Sequence, residues 1–339
     1  MVTHLHEQLM QGRWSGVILG RDRLAREMGV NGSTIERALG PLEREGLLKS
    51  QGAGKRRQIT TKHKQAQPGK RVCIILYERE DSLNNYILEL QNHLHAAGHS
   101  MTFAPMTLRG IKFDVKRIAT MMEEQNAEAY VIQAAPRPFL EELCKGPVPT
   151  FALFGRMAGL SIAGTGPDKL PALRDCIRSL FDNDHRSIVM LSHGELNKPM
   201  GAIEKVFLEE LEKYHMPHGG YNLPSWENSP DGLRECIDPL FQITPPDAIL
   251  VDDWIVYYAI QNYLVHQRGQ AFREVLCICT DYHSSFGWCQ PEVAHFQWDP
   301  LSVVRRVMQW VDNVAKGKED KNQRLTKAKL IDAGSLLHT

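Results

Sequence analysis

Polar and basic side chains near the start of the chain fall on one face of a predicted helix. Ile35, Leu39 and Leu42 lie four and three residues apart, so they share the buried face of a predicted helix. At roughly 100° per residue, Ser33 and Arg37 fall on the opposite, exposed face. Side chains of these types can donate hydrogen bonds to phosphates and to base edges in the major groove.

The residues on either side predict the elements that would hold this helix. Good helix formers indicate a short preceding helix over residues 21–28, which the following glycine can end. Asn31 or Ser33 can cap the second helix, which we expect to start near Gly32. We expect a kink or a restart at Pro41, because proline removes a backbone hydrogen bond.

A basic hairpin is predicted after this helix. Gly46 ends the helix, and two short strands flank a turn at residues 51–54. Lys55, Arg56 and Arg57 place three positive charges on the hairpin, where they would lie along a phosphate backbone.

Charge divides the chain into two parts. Residues 1–70 hold 13 Lys or Arg against 6 Asp or Glu, a net charge of +7, and the remainder holds 27 against 34, a net charge of −7. The formal net charge of zero therefore hides a basic part suited to a polyanion and an acidic part that should not bind one nonspecifically.

The acidic part alternates predicted strands and helices. A buried strand begins at Arg71, strand and helix alternate through residue 154, and a second such set covers residues 170–279. This alternation predicts an α/β fold of two doubly wound lobes. Ligands of such folds bind at the carboxyl ends of the strands.

The first 60 residues resemble the GntR-type winged-helix repressors. Residues 19–25, LGRDRLA, are similar to the family's LPSERELA motif, residues 30–39 and 42–47 match the helices, and Gly52 with Gly54 match the G-x-G of the wing. The resemblance, together with the exposed basic face, gives these DNA-binding candidates: Arg21, Arg23, Asn31, Ser33, Thr34, Arg37, Gly54 and Lys55.

Two positions depart from the GntR-type pattern, which usually has Arg where this chain has Gly32 and Glu36. Two expected contacts are therefore missing. DNA would repel a carboxylate at position 36 unless that carboxylate accepts a hydrogen bond from cytosine. Arg37, offset by one position, is the candidate to take over a lost contact.

Residues 71–339 resemble the effector domain of LacI-type regulators, a two-lobed fold shared with periplasmic sugar-binding proteins. The similar passages are VFLEELEKYHMP at 206–217, DAILVDDWIVYYAI at 247–260, VLCICTDY at 275–282 and the helix at 298–310 that returns to the first lobe. GntR-type heads joined to LacI-type bodies are known from arabinose-type repressors.

This second resemblance implies a small-molecule site in the cleft between the lobes. Carboxylates at strand ends would accept hydrogen bonds from hydroxyl groups, and aromatic rings would stack on a sugar. The family's effector-binding Arg falls at Ile203, so Arg156 or Lys198 would have to replace it, or the effector differs in class. The effector-binding candidates are Tyr77, Glu78, Phe154, Arg156, Asp253, Trp254, Asp281 and Trp298.

The sequence thus predicts a ligand-responsive repressor that binds a pseudo-palindromic operator as a homodimer paired through its first lobes. Residues 1–61 form the winged helix-turn-helix domain, 62–70 a linker, and 71–339 the effector-binding and dimerisation domain. The expected partners are double-stranded operator DNA and a sugar or related metabolite. The alternatives are an α/β enzyme acting on a small metabolite and a DNA-binding protein with a vestigial cleft.

The sequence gives little support for a catalytic or metal site, for disulfides or for a membrane location. No Ser-His-Asp or paired-carboxylate arrangement stands out, so we expect no enzymatic activity, cofactor or metal. The seven scattered cysteines indicate reduced thiols. Without a 20-residue apolar run or a signal peptide, the protein is expected to be soluble and cytoplasmic, with no membrane partner.

Overall fold

A computed structural model describes residues 1–10, 14, 16–44, 46–52, 55–60, 69–192, 200–268 and 275–332. The chain separates into two compact units, Met1–Pro68 and Gly69–Thr339. Most of the expected linker, residues 62–68, lies outside the described residues. Each unit has its own hydrophobic core.

The first unit consists of three helices and a short antiparallel hairpin. Its elements are α1 (Val2–Met10), α2 (Arg21–Met28), α3 (Gly32–Arg44), β1 (Leu48–Lys49) and β2 (Gln58–Ile59). Val17 also forms an antiparallel bridge with Gln58, so a third extended segment lies beside the hairpin.

The turn between α2 and α3 has the backbone that the sequence predicts. Gly29 adopts φ 64°, and this left-handed conformation ends α2. The Asn31 carboxamide oxygen accepts a hydrogen bond from the Thr34 amide at 2.8 Å, and α3 begins at Gly32 as expected.

Helix α3 continues through Pro41 to Arg44, so the expected restart at the proline is wrong. Ile35, Leu39 and Leu42 are at most 1% exposed and anchor the helix in the core before and after the proline. Their burial opposes a break that the missing backbone hydrogen bond would otherwise favour.

The second unit has two α/β lobes, which confirms the predicted fold class. In chain order its elements are β3 (Arg71–Ile75), α4 (Asn85–Ala96), β4 (Ser100–Phe103), α5 (Val115–Gln125), β5 (Ala129–Gln133), α6 (Arg137–Leu143), β6 (Thr150–Leu153), β7 (Ala163–Asp168), α7 (Leu170–Asp182), β8 (Ile188–Leu191), α8 (Ala202–Lys213), α9 (Pro230–Ile243), β9 (Ala248–Val251), α10 (Trp254–Arg268), β10 (Leu276–Cys279), β11 (Ala294–Gln297), α11 (Pro300–Ala315), β12 (Gln323–Lys327) and β13 (Lys329–Ile331).

Each lobe is built on one sheet. The first has the order β12-β7-β6-β5-β3-β4 with all pairs parallel, and the second has the order β13-β11-β10-β9-β8, in which only β13 is antiparallel. In the first sheet Ile74 and Val131 pack on one face, and Ile75 and Ile132 on the other. Helices cover both faces, which explains why these strands read as continuous apolar runs.

The chain passes between the lobes three times, after β7, after β11 and after β12. Helix α11 thereby returns to the first lobe, where it packs on α4 and β7. The passages are short, and Ala328 in the third donates its amide at 3.1 Å to the carbonyl of Asp168, the last residue of β7 before the first passage.

A buried ion pair fixes α11 to the segment before β12. Both terminal nitrogens of Arg306 lie 2.9 Å from Asp320 carboxylate oxygens, and both side chains are 5% exposed. Asn313 donates a further hydrogen bond to Asp320 at 2.9 Å.

We predict that Asp320→Asn lowers the free energy of unfolding by about 3–5 kcal/mol, because it leaves a buried guanidinium without its counterion. Urea unfolding followed by circular dichroism measures the change. Glu142→Gln is the control, because Glu142 pairs with Lys145 at side chains 51% and 69% exposed and should change stability by about 1 kcal/mol at most. Equal effects of the two substitutions would contradict the prediction.

Candidate functional site

The DNA-binding candidates of the first unit lie around the amino end of α3. Arg23, Arg37 and Lys55 are exposed, whereas Gly54 lies outside the described residues. The hydroxyls of Ser33 and Thr34 each donate to the Asn31 carboxamide oxygen at 2.8 Å. Asn31, Ser33 and Thr34 thus form the polar cap of α3, with the hydroxyl oxygens able to accept further hydrogen bonds.

Arg21 lies over the glycine that departs from the GntR-type pattern. A Cβ added to Gly32 would lie 3.1 Å from Arg21 Nε and 3.3 Å from its Cδ. Arg21 Nε also donates to Asp22 at 2.9 Å, and the Arg21 side chain is 56% exposed. The absence of a side chain at position 32 therefore leaves space for an arginine that comes from α2.

The sequence predicts that Arg57 of the hairpin lies along a phosphate backbone. In the structure its guanidinium instead points towards α3 and pairs with two glutamates of that helix. Its Nε lies 2.5 Å from Glu43 Oε1, its Nη1 lies 3.3 Å from Glu36 Oε2, and its Nη2 bonds the other Glu36 oxygen. The hydrogen bond from Arg57 lowers the pKa of Glu36 despite partial desolvation. Arg57 therefore offsets the repulsion that a carboxylate at position 36 would exert on DNA.

The effector-binding candidates of the first lobe follow the carboxyl ends of β3 and β6. Tyr77 is buried against Phe113, with ring centroids 5.9 Å apart. Glu78 forms an ion pair with Arg109 at 3.1 Å. Phe154 has a φ of 60°, and this left-handed backbone directs the chain away from the end of β6.

Asp281 is a candidate of the second lobe with contacts to several elements. Its Oδ1 accepts hydrogen bonds from Trp298 Nε1 at 2.9 Å and from the Tyr282 amide at 2.7 Å, and its Oδ2 lies 3.1 Å from Lys169 Nζ. Lys169 lies in the first passage between the lobes and Trp298 in the second. Asp281 therefore joins a strand end to two of the passages.

Asp253 and Trp254 lie at the start of α10. The Asp253 carboxylate accepts hydrogen bonds from the amides of Ile255 and Val256 at 2.7 and 3.0 Å. The Trp254 ring stacks on His283, with centroids 4.0 Å apart and planes 12° apart. Desolvation lowers the pKa of His283, although Asp253 and Asp281 act in the opposite direction.

The two lobes contact each other across the cleft. Asn85 donates to Ser284 Oγ at 3.0 Å, and Arg156 forms an ion pair with Glu204 at 3.6 Å. At the base of the cleft Trp298 packs on Phe154, with centroids 5.4 Å apart. The structure thus brings side chains of both lobes together, with the predicted candidates on each side.

The structure adds polar residues to the cleft that the sequence did not indicate. Gln133 donates to the Tyr86 hydroxyl at 2.7 Å, and Tyr86 packs on Trp298 with centroids 6.0 Å apart. The Gln133 carboxamide oxygen is buried without a hydrogen-bond partner among the described residues. A polar residue at the end of an otherwise apolar strand is the signal that could have identified Gln133.

Asp81 belongs to the same polar group. Its carboxylate accepts hydrogen bonds from the Glu78 amide at 3.1 Å and from Asn84 at 3.2 Å. Desolvation raises the pKa of Asp81 to about 7, and the negative charges of Glu78 and Asp253 act in the same direction. The cleft therefore contains a carboxyl group that titrates near neutral pH.

The positions of the His, Cys, Asp and Glu side chains among the described residues decide which metal-ligand groupings are available. Within the described part of the chain, no three His, Cys, Asp or Glu side chains are grouped so as to hold a metal ion. All seven cysteines are free thiols, and burial raises the pKa of Cys73 to about 11. Of the helices described, none has the length and apolar character needed to cross a membrane.

No protein-family model matches the chain, and a sequence search of curated proteins gives no match. Solved structures do match its fold. A complex of the transcriptional regulator CelR with cellobiose is 14% identical, with a TM-score of 0.63, and the match covers 93% of this chain and 99% of that one.

Two further structures match the fold to a similar degree. The transcription regulator CcpA of Lactococcus lactis is 10% identical (TM-score 0.64), and a periplasmic binding protein/LacI transcriptional regulator from Alkaliphilus metalliredigens QYMF complexed with D-xylulofuranose is 12% identical (TM-score 0.61). Both matches cover 78% of this chain and 98% of the other. At these identities the likeness establishes the fold: the two-lobed architecture of LacI-type regulators and periplasmic binding proteins.

Proposed function

We propose that this protein is a ligand-responsive transcriptional regulator, specifically a repressor. The observation that carries the proposal is the presence in one chain of a basic three-helix unit and a two-lobed fold whose solved relatives are regulators, two of them with a sugar bound. The proposed domains are residues 1–61 for DNA binding, a linker at 62–70 and residues 71–339 for effector binding and dimerisation.

The first unit is proposed to be a GntR-type winged helix. The order of the elements supports this assignment: α2 and α3 are followed by the hairpin, and the extended segment at Val17 lies beside it. In the proposal α3 enters the major groove with Ser33 and Arg37 towards the bases, while Arg23 and Lys55 contact phosphates. The match of LGRDRLA to the family motif supports the same assignment.

The interlobe cleft is proposed to bind a sugar or a related metabolite. Asp253 and Asp281 provide carboxylate acceptors for hydroxyl groups, and the stacked pair Trp254 and His283 provides an aromatic surface for a ring. Tyr77 packs against Phe113 inside the first lobe. In this proposal it supports the wall of the cleft and does not contact the ligand.

Effector binding would change the affinity for DNA by changing the arrangement of the two lobes in each subunit of a homodimer. A ligand that favours one arrangement of the lobes would change the spacing of two DNA-binding units. Couplings of this kind are typically about 1–3 kcal/mol, or roughly 5- to 150-fold in affinity. Pairing through the first lobe is supported by exposed apolar side chains there: Leu88 on α4, Phe103 on β4 and Met106 just after β4.

The DNA-binding role predicts a specific effect of Arg23→Ala. Loss of one phosphate contact should weaken operator binding about 10-fold and reduce the slope of log affinity against log salt by about 1. Fluorescence anisotropy with labelled DNA measures both quantities. Arg117→Ala, an exposed substitution of the same charge on α5, should change neither, and thermal unfolding should be the same for both variants. An equal loss in the two variants would count against a role for Arg23.

The effector role predicts that a metabolite screen will find a ligand that raises the melting temperature of the full-length protein and changes operator affinity. Asp281→Asn should remove most of that ligand-induced shift, because the carboxylate lies at the base of the cleft. Asp175→Asn on α7, where the side chain is 65% exposed, should retain the shift. A ligand that shifts both variants equally would bind elsewhere.

The titration of Asp81 predicts a pH dependence of stability in the ligand-free protein. Because its folded-state pKa of about 7 lies above the ordinary value of 3.8, the folded state binds more protons between these limits. This stabilising contribution is complete below pH 3.8 and is lost as the pH rises through 7. We expect the unfolding free energy to fall by about 2–3 kcal/mol relative to Asp81→Asn between pH 5 and 7.5. Urea unfolding at both pH values tests this, and parallel changes in the two proteins would contradict it.

A further inference from the structure

One flank of α3 carries a charged cluster that links this helix to α2 and to the hairpin. Gly32, Glu36 and Glu43 fall within about 40° of one another around the helix axis. Arg21 lies over the amino end of this flank, and Arg57 binds both glutamates. Each of the three elements therefore contributes to one surface.

The guanidinium of Arg57 is largely used within the protein. All three of its nitrogens donate to Glu36 or Glu43, and its side chain is only 19% exposed. The Glu36 side chain, by contrast, is 50% exposed. Each Glu36 oxygen accepts one hydrogen bond from Arg57, and a carboxylate oxygen can accept more than one.

The same contacts keep Glu36 ionised. The hydrogen bond and charge of Arg57 lower its pKa, and the charge of Arg21 acts in the same direction. An ionised carboxylate accepts hydrogen bonds but cannot donate them. The two arginines beside it reduce the repulsion that nearby phosphates would exert.

Glu36 lies one turn from the start of α3, between the exposed residues Ser33 and Arg37 and the hairpin. The first turns of a recognition helix are the part that reaches base edges. In the major groove cytosine offers an amino donor at N4, whereas guanine and thymine present acceptors that a carboxylate would repel. Adenine offers a donor beside an acceptor, which suits an amide better than a carboxylate.

We propose that Glu36 is a specificity-determining residue that accepts a hydrogen bond from cytosine N4 in each operator half-site. Arg57 is the positioning residue that holds the Glu36 carboxylate against the hairpin and towards the groove. Glu43 anchors the other side of Arg57 and does not read a base. This inference rests on the proposed DNA-binding function.

The test is selection of bound sequences from a randomised duplex library by the full-length protein. The wild type should select cytosine at one position of each half-site with about 10-fold preference over guanine or thymine. Glu36→Gln should shift that preference to adenine, because a carboxamide pairs with adenine N6 and N7. Glu43→Gln is the matched control, since it weakens the same Arg57 contact but should retain the cytosine.

The outcomes separate this inference from the proposed function. If Glu36→Gln selects the same base as the wild type, Glu36 does not read DNA and the inference is wrong. If Glu43→Gln loses the cytosine to the same extent, the whole Arg57 cluster and not Glu36 sets the preference, which also overturns it. If the wild type selects no sequence, the proposed function fails as well. Thermal unfolding checks that each variant folds, and Glu36→Gln is nearly isosteric with the native residue.

Discussion

The carboxylate of Asp281 connects the chain segments that join the two lobes of the second unit. It binds Lys169 in the first passage between the lobes and Trp298 in the second, while Ala328 of the third passage bonds to Asp168, which directly precedes Lys169. The three short passages between the lobes are therefore linked to one another through these contacts. The carboxyl ends of strands from both lobes consequently face a common cleft, where the candidate effector residues lie.

The first unit shows a different use of charge. Its core fixes α3 through Ile35, Leu39 and Leu42, but partly buried ion pairs determine which charges remain available on the surface. Arg57 is committed to two glutamates, and Arg21 occupies the space above Gly32. Arg21 and Arg57 thus bring positive charge from neighbouring elements to the flank of α3 where the helix itself carries Gly32 and Glu36.

Much of this architecture could be predicted from the sequence because its helices and central strands carry strong periodic signals. The alternation expected up to residue 154 and over residues 170–279 is present in the structure, for example in α5 and β9. Strand β7, with the sequence AGTGPD, was missed because glycine and proline replace the usual β-branched residues, and β12 was missed because it is a polar edge strand. The environment of Asp81 arises from tertiary contacts with Glu78 and Asp253 and cannot be read from the sequence, whereas Gln133 carries the weaker signal of a polar residue at the end of an apolar strand.

The position of Trp298 gives the protein an intrinsic optical signal. Its indole is 6% exposed, packs against Phe154 and Tyr86, and donates its only hydrogen bond to Asp281 at 2.9 Å. A rearrangement of the lobes would alter the polarity around this ring, the distance to its aromatic neighbours and the bond to the carboxylate. Among the six tryptophans of the chain, Trp298 is therefore one whose contribution to the intrinsic fluorescence would change when the lobes rearrange, without any attached label.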